Sequence, residues 1–222
     1  MIFRAKAFGV LLFTTAVLSG FLQAQSTELR NMAYVSGSEE QAIAWQEDVR
    51  FQLFSLLKMD DLIATDSPLD FAPQTISSEK RDDCVYQEIE INSTEGRRVR
   101  IILTIPTEGK GPFPAVVCIA GHSGTRLTCY DQERLYKRFG TILAQSGYVT
   151  ISVNVGQHDT YEEDRTLMGE RLWDLMRCVD YLESMDEVDP QKIGCGGLSL
   201  GGEMTMWLGA MDTRIQASVS AG

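Results

Sequence analysis

The chain has little of several features that mark whole classes of protein. It carries 20 Lys and Arg against 31 Asp and Glu, a formal net charge of −11 at pH 7. Such an acidic chain offers little attraction for nucleic-acid phosphates or an anionic membrane face. The sequence contains no phosphate-binding glycine loop, no H-E-x-x-H motif and no internal repeat. We therefore expect no cofactor, no metal and no nucleic-acid partner.

The cysteines are few and irregularly spaced: Cys84, Cys118, Cys129, Cys178 and Cys195. Their spacing suits neither a metal site nor a dense disulfide framework. Cys118 and Cys195 lie in apolar runs typical of buried strands, where a free thiol behaves as a small hydrophobe. We predict buried thiols, with one adventitious bridge as the alternative.

The first 24 residues have the layout of a secretory signal peptide. Arg4 and Lys6 give a basic start, residues 8–22 are largely apolar, and Ala24 is a small residue at a plausible cleavage point. The apolar run is shorter than the roughly 20 residues of a membrane-spanning anchor, which is the alternative. We predict that residues 1–24 are cleaved and that the product is secreted or periplasmic, without membrane attachment.

Residues 25–83 predict a helical lead-in. Apolar residues recur at near-helical spacing within Ala42–Met59, and prolines at 68 and 73 then break the pattern in favour of a loop. Residues 84–222 predict a different organisation, a partial domain of alternating strands and helices.

That domain begins with two segments of a predicted antiparallel hairpin, Val85–Ile91 and Val99–Ile105. The strands that follow are predicted at Ala115–Ala120, Tyr148–Val153, Lys192–Gly196 and Ile215–Ser220. The intervening helices are predicted at Asp131–Ser146, Leu167–Leu182 and Gly202–Ala210, with a turn at Asp189-Pro190. This alternation indicates the α/β class, with a mainly parallel sheet covered by helices on both faces.

The motif Gly197-Leu198-Ser199-Leu200-Gly201 fits G-x-S-x-G between a predicted strand and a predicted helix. A tight turn in that context exposes the serine in a strained conformation, while its glycines let the strand and helix approach closely. Ser199 is our candidate nucleophile. The alternative is a glycine-rich turn without chemistry.

A second motif, Ala120-Gly121-His122-Ser123-Gly124, directly follows the apolar strand Ala115–Ala120. Ligands gather at the carboxyl ends of parallel strands, so this loop is expected to face Ser199. We predict an oxyanion hole made by the backbone N–H groups of His122 and Leu200. The His122 side chain itself is expected only to line the cleft.

These segments resemble the α/β-hydrolase superfamily, and within it the dienelactone-hydrolase and acetyl-xylan-esterase-like branch. The similarity extends from about Val85 to Gly222 and is carried by GPFPAVVCIAGHSG (111–124) and VDPQKIGCGGLSLGG (188–202). It implies a serine esterase that works through an acyl-enzyme with a Ser–Asp/Glu–His triad. Ala120-Gly121 stands where the family commonly has His-Gly.

The position of the base departs from that family. In the family the acid and the histidine follow the serine, whereas the 2 histidines of this chain, His122 and His158, precede Ser199. The resemblance therefore implies that both partners lie beyond Gly222, so that this chain is a truncated, inactive piece with an exposed last strand. His158 is the alternative base, although a loop histidine beside Asp159 is more typical of a solvated residue.

We thus expect an exported hydrolase of small-molecule or polysaccharide esters, of the acetyl-ester type that the resemblance implies. The alternatives are a secreted prolyl-oligopeptidase-like serine peptidase and a non-catalytic remnant. The sequence leaves the oligomeric state open.

Overall fold

The structure, a computed structural model, describes residues 32–64, 69–81 and 83–222. The predicted signal peptide lies outside these residues. Among the described residues, those up to Phe51 belong to one compact unit and those from Gln52 onward form another. In the first unit, the Trp45 indole donates a 2.9 Å hydrogen bond to the carbonyl oxygen of Met32 and contacts the ring of Tyr34 edge-on.

Two helices precede the sheet, α1 at Glu39–Leu56 and α2 at Asp60–Ile63. The predicted helix at 42–59 is thus confirmed with its bounds shifted three residues towards the N-terminus. Within the described residues, no helix is long and apolar enough to cross a bilayer.

The sheet has seven strands, β1 Gln74–Arg81, β2 Cys84–Thr94, β3 Arg97–Pro106, β4 Phe113–Ile119, β5 Val149–Val153, β6 Val188–Leu198 and β7 Ile215–Ala221. Their order across the sheet is β1-β2-β3-β5-β4-β6-β7. Strands β5, β4, β6 and β7 are parallel, while β1, β2 and β3 form an antiparallel wing. The predicted α/β class and the antiparallel hairpin are confirmed.

Strand β1 was not predicted, because its sequence QTISSEKR has no apolar alternation and seven of its eight residues are exposed. It lies at one edge of the sheet and pairs only with β2. The predicted turn at Asp189-Pro190 is wrong, since both residues lie inside β6. The pairing of β6 with β4 is irregular there, which lets a proline occur within a strand.

The remaining helices are α3 Thr128–Asp131, α4 Phe139–Gln145, α5 Leu167–Glu183 and α6 Leu200–Met211. The single helix predicted over 131–146 is wrong, because residues 132–138 form a loop between α3 and α4. Lys137 and Arg138 both have φ of 53° in this loop, a left-handed conformation that ends a regular helix. The Gln132 side chain also accepts a 2.7 Å hydrogen bond from the Leu135 N–H, which favours a turn.

Alternate residues of β4 face opposite sides of the sheet. Val117 and Ile119 pack in the larger apolar cluster with residues of α5 and α6, whereas Cys118 packs in a smaller cluster with Tyr130 of α3. Helices therefore cover both faces, as predicted. All five cysteines are free and buried, which confirms the prediction of buried thiols.

Candidate active site

Ser199 occupies the single residue between the end of β6 and the start of α6, with φ 59° and ψ −124°. This backbone conformation is strained for a residue with a side chain. Two hydrogen bonds hold it: the Ser199 N–H donates to the Ala221 carbonyl oxygen at 2.7 Å, and the Ser199 carbonyl accepts from the Glu203 N–H at 3.0 Å. The Ser199 residue is exposed at the carboxyl edge of the sheet.

The flanking glycines are required by close packing. A Cβ at Gly197 would lie 2.6 Å from the carbonyl oxygen of Ile119, and a Cβ at Gly201 would collide with the same oxygen. The end of β4 therefore presses directly on the turn. This explains in atomic terms why the motif needs glycine on both sides of the serine.

The loop after β4 lies against the Ser199 turn. A Cβ at Gly121 would lie 3.2 Å from Cβ of Ser199 and 2.8 Å from the Leu198 carbonyl oxygen. In the described part of the chain, the backbone N–H groups of His122 and Leu200 have no acceptor. The structure thus places both predicted oxyanion-hole residues beside the candidate nucleophile.

Tyr136 is a residue of this region that sequence reasoning missed. Its hydroxyl oxygen accepts a 2.6 Å hydrogen bond from the Gly121 N–H, and its side chain is 8% exposed. Tyr136 lies in the loop that was predicted to be helical, so no sequence signal pointed to it. The contact anchors the residue before His122, at the point where the loop passes Ser199.

The two histidines meet at the same edge. The ring centroids of His122 and His158 are 4.7 Å apart with planes at 79°, and both residues are exposed, as is Asp159. A Cβ at Gly156 would lie 2.8 Å from the His122 carbonyl oxygen, so the loops after β4 and β5 are in direct contact. Among the described residues, no hydrogen bond joins either imidazole to the Ser199 hydroxyl.

A buried charged network holds the loop that carries His158. Arg97 forms two 2.8 Å hydrogen bonds to Asp174 and a longer ion pair with Glu162 of the loop. Burial raises the pKa of the Asp174 carboxyl, although the hydrogen bonds from Arg97 act in the opposite direction. Burial alone would lower the pKa of Arg97, but its hydrogen bonds and ion pair with Asp174 raise it. The Glu170 carboxylate accepts from the N–H groups of Tyr161 and Glu162, which fixes the loop backbone.

Within the part of the chain that the structure describes, no group of three or more His, Cys, Asp or Glu residues could hold a metal ion. Burial raises the pKa of the Cys195 thiol, the cysteine closest in sequence to Ser199, to about 12. A thiol of that kind remains protonated and is a poor nucleophile. Cys195 therefore does not compete with the Ser199 hydroxyl as the candidate nucleophile.

Comparison with known proteins decides the family. The family model described as "Glucuronyl esterase, fungi" matches residues 90–221, more than half of the chain. The chain belongs to this family. The matched range includes both loops of the candidate site and agrees with the α/β-hydrolase, esterase-like resemblance of the sequence.

The relatives of this glucuronyl esterase family member are distant. YtaP of Bacillus subtilis, provisionally named a hydrolase, is 23% identical over 169 residues, covering 66% of this chain and 55% of YtaP. The uncharacterized peptidase YuxL of the same organism is 28% identical over 145 residues, covering 61% of this chain and 21% of YuxL. The chain thus spans about half or less of the length of these relatives.

A solved structure shares the fold. The crystal structure of a provisionally assigned acetyl xylan esterase from Bacteroides fragilis NCTC 9343 matches with a TM-score of 0.69 and 19% identity. The match covers 85% of this chain and 55% of the chain in that structure. The seven-stranded sheet and the turn at Ser199 therefore lie within an α/β-hydrolase fold.

Proposed function

We propose that this chain is the nucleophile-bearing part of an exported serine esterase that cleaves carboxylic esters. The observation that carries the proposal is the strained, exposed Ser199 beside two backbone N–H groups that have no acceptor among the described residues. Ester hydrolysis needs a reactive serine and a pair of hydrogen-bond donors that stabilise the oxyanion, both beside the same ester carbonyl. A glycine-rich turn without chemistry would not need a strained serine between them.

The reaction follows from this geometry. The Ser199 hydroxyl oxygen attacks the ester carbonyl carbon while a base accepts the hydroxyl proton. The carbonyl oxygen becomes an oxyanion that accepts hydrogen bonds from the His122 and Leu200 N–H groups. Collapse of this intermediate breaks the bond to the alcohol, which leaves with the proton, and gives an acyl-enzyme. Water then cleaves the acyl-enzyme by the same steps and releases the acid.

Neither histidine is hydrogen-bonded to the Ser199 hydroxyl among the described residues. His158 contacts His122, and no hydrogen bond from His158 to Ser199 is seen in the described residues. The matches cover only 55% of YtaP and 55% of the Bacteroides fragilis structure, so a large part of each relative lies outside the match. We therefore propose that the acid and histidine of the triad come from sequence outside residues 1–222, and that residues 1–222 alone hydrolyse esters poorly.

The substrate class is proposed from the family. The matching family is named for glucuronyl esters, and the Bacteroides fragilis structure is assigned as an acetyl xylan esterase. Both names point to esters on sugars, so acetyl or uronyl esters of a polysaccharide are the proposed substrates. The predicted signal peptide at residues 1–24 would bring the protein to such a polymer outside the cytoplasm.

A peptidase is the second candidate, because one relative, YuxL, carries that name. The match covers only 21% of YuxL, so it leaves most of that protein unaccounted for. Hydrolysis of a proline p-nitroanilide by the intact gene product, at a rate equal to or above that of the acetyl ester, would favour the peptidase.

The test of the esterase is hydrolysis of p-nitrophenyl acetate by the intact gene product and by two variants. Ser199→Ala removes the nucleophile, and we expect kcat/KM to fall by about 10³-fold or more. Ser184→Ala is the matched control, because Ser184 is exposed at the end of α5 and its rate is expected to be unchanged. Undiminished hydrolysis by Ser199→Ala would refute the proposed function.

A further inference from the structure

Three alternate residues at and beyond the end of β5 contact the loop that follows β4. The Ser152 hydroxyl donates a 2.6 Å hydrogen bond to the carbonyl oxygen of Arg126, and the Asn154 side-chain oxygen accepts one of 2.6 Å from the N–H of the same residue. A Cβ at Gly156 would lie 2.8 Å from the His122 carbonyl oxygen. Residues two apart in an extended chain point to the same side, so this segment forms a continuous seat for the loop.

The seat is anchored in the core of the sheet. Val153 and Val155, the residues between the three contacts, are buried and pack in the larger apolar cluster. Ser152 is buried as well. Moving the segment would expose apolar surface to water, which is unfavourable, so the seat can hold the loop at a fixed position.

The loop held on this seat contains a tight turn that carries the His122 N–H. The Gly124 N–H donates a 2.9 Å hydrogen bond to the Gly121 carbonyl oxygen, which makes His122 a central residue of a β-turn. Before the turn, the Gly121 N–H is bound to the Tyr136 hydroxyl. After the turn, both backbone groups of Arg126 are bound to the seat. The turn is thus tied at both ends, and these ties set the direction of the His122 N–H.

Asn154 is the exposed polar member of the seat. Its hydrogen bond to the Arg126 N–H lies at the surface, so water can replace the side-chain oxygen when that oxygen is removed. The Arg126 side chain keeps its own ion pair with Glu88 of β2. Loss of the Asn154 oxygen is therefore expected to leave the fold intact while it frees the backbone of the loop.

We propose that Asn154 is a positioning residue for the oxyanion hole. By binding the Arg126 N–H, it fixes the turn so that the His122 N–H meets the carbonyl oxygen of the ester that Ser199 attacks. This inference rests on the proposed function. Oxyanion-hole donors are effective because they are already in place when the charge develops, and a small misplacement of a catalytic group costs a large factor in rate. Asn154 acts through the loop and not by touching the ester.

The first test is hydrolysis of p-nitrophenyl acetate by variants of the intact gene product. Asn154→Leu removes the acceptor at similar size, and we expect kcat to fall about tenfold or more. KM is expected to stay within about twofold, because the oxyanion contact forms in the transition state. Asn154→Asp keeps an acceptor at the same position and is expected to restore kcat to within about threefold. Gln191→Leu, which removes an exposed amide near the start of β6, is the control with unchanged kinetics.

The second test follows the His122 N–H itself and does not depend on turnover. The intact gene product is labelled with 15N-histidine, and the backbone signal of His122 is recorded by NMR. We expect this signal to shift or broaden in Asn154→Leu and to stay in place in Asn154→Asp and Gln191→Leu. The midpoint of thermal unfolding of Asn154→Leu is expected to be unchanged. If Asn154→Leu does not fold, Asn154→Ala, which adds no apolar surface, provides the same comparison.

An unchanged kcat or an unchanged His122 signal in Asn154→Leu would overturn the inference. An Asn154→Asp variant as slow as Asn154→Leu would also overturn it, because the acceptor would then not be the feature that matters. A rise in KM at constant kcat would assign Asn154 to substrate binding instead. If the intact gene product hydrolyses the ester through Ser199 while these results fail, the inference is lost and the proposed function remains. If Ser199→Ala leaves hydrolysis undiminished, the proposed function fails first.

Discussion

The hydroxyl of Tyr136 accepts the N–H of Gly121 at 2.6 Å, and so ties the loop between α3 and α4 to the loop that passes Ser199. The Gly121 N–H is buried, and this contact is its hydrogen bond. The position of the next N–H along the chain, that of His122, depends on the orientation of this loop. The predicted oxyanion hole is thus held from a segment that lies 15 residues away in sequence.

Tyr136→Phe removes the acceptor and leaves the Gly121 N–H unpaired. We expect a loss of about 1–3 kcal/mol in the free energy of unfolding, measured by urea denaturation. Tyr86→Phe is the control, because the buried Tyr86 hydroxyl has no partner among the described residues and its removal is expected to be neutral or stabilising. Equal destabilisation by the two variants would mean that the Tyr136 hydrogen bond contributes nothing.

Gly201→Ala is expected to disrupt the turn at Ser199. The added Cβ would collide with the carbonyl oxygen of Ile119, and relieving the contact must separate β4 from α6. We expect the free energy of unfolding to fall by about 1–3 kcal/mol, measured by thermal unfolding. Gly96→Ala serves as the control, since a Cβ at Gly96 meets nothing within 4 Å. A Gly201→Ala variant as stable as Gly96→Ala would show that the packing at the turn is looser than described.

The buried thiols predict both slow alkylation and a pH dependence of stability. Burial raises the pKa of Cys129 and of Cys195 to about 12, from an ordinary value of 9.0. Unfolded thiols therefore ionise at a lower pH than native ones, so the free energy of unfolding falls as the pH rises above about 9. Iodoacetamide at pH 8 is expected to modify these cysteines only after denaturant unfolds the protein. Rapid modification of the native protein would contradict their burial.

Strand β7 lies at the edge of the sheet with six of its seven residues exposed, and Val219 is 70% exposed. Unpaired edge strands with apolar side chains promote association between molecules. Val219→Lys is expected to reduce self-association of the chain in sedimentation velocity experiments. Met206→Lys, at an exposed apolar position on α6, adds the same charge away from the edge. If both variants reduce association equally, net charge and not the edge strand is responsible.

The strands and helices that could be predicted from the sequence are those whose apolar residues form a continuous run or recur at regular helical spacing. Strand β4 contains the apolar run AVVCI, and α5 has apolar residues on one face, so both were located within a few residues. Strand β1 is polar and exposed, and its pairing with β2 is a tertiary contact that no local pattern reveals. The break between α3 and α4 depends on the left-handed backbone of Lys137 and Arg138, residue types that rarely adopt it.

The same distinction holds at the site. Ser199 and the two N–H groups could be located because G-x-S-x-G and the loop after β4 are local motifs. The contact of His122 with His158, the Tyr136 hydrogen bond and the hydrogen bond from Arg171 to the Gln157 carbonyl join residues from separate loops and helices. Such groupings depend on how loops and helices pack together, which spacing in the sequence does not specify.

The central claim is that Ser199 is a nucleophile, and covalent capture tests it most directly. The intact gene product is incubated with a fluorophosphonate, which phosphonylates reactive serines, and the modified peptide is identified by mass spectrometry. The account predicts one added phosphonyl group, on Ser199, and none in the Ser199→Ala variant or after denaturation. Modification of another serine, or labelling that survives Ser199→Ala, would contradict it.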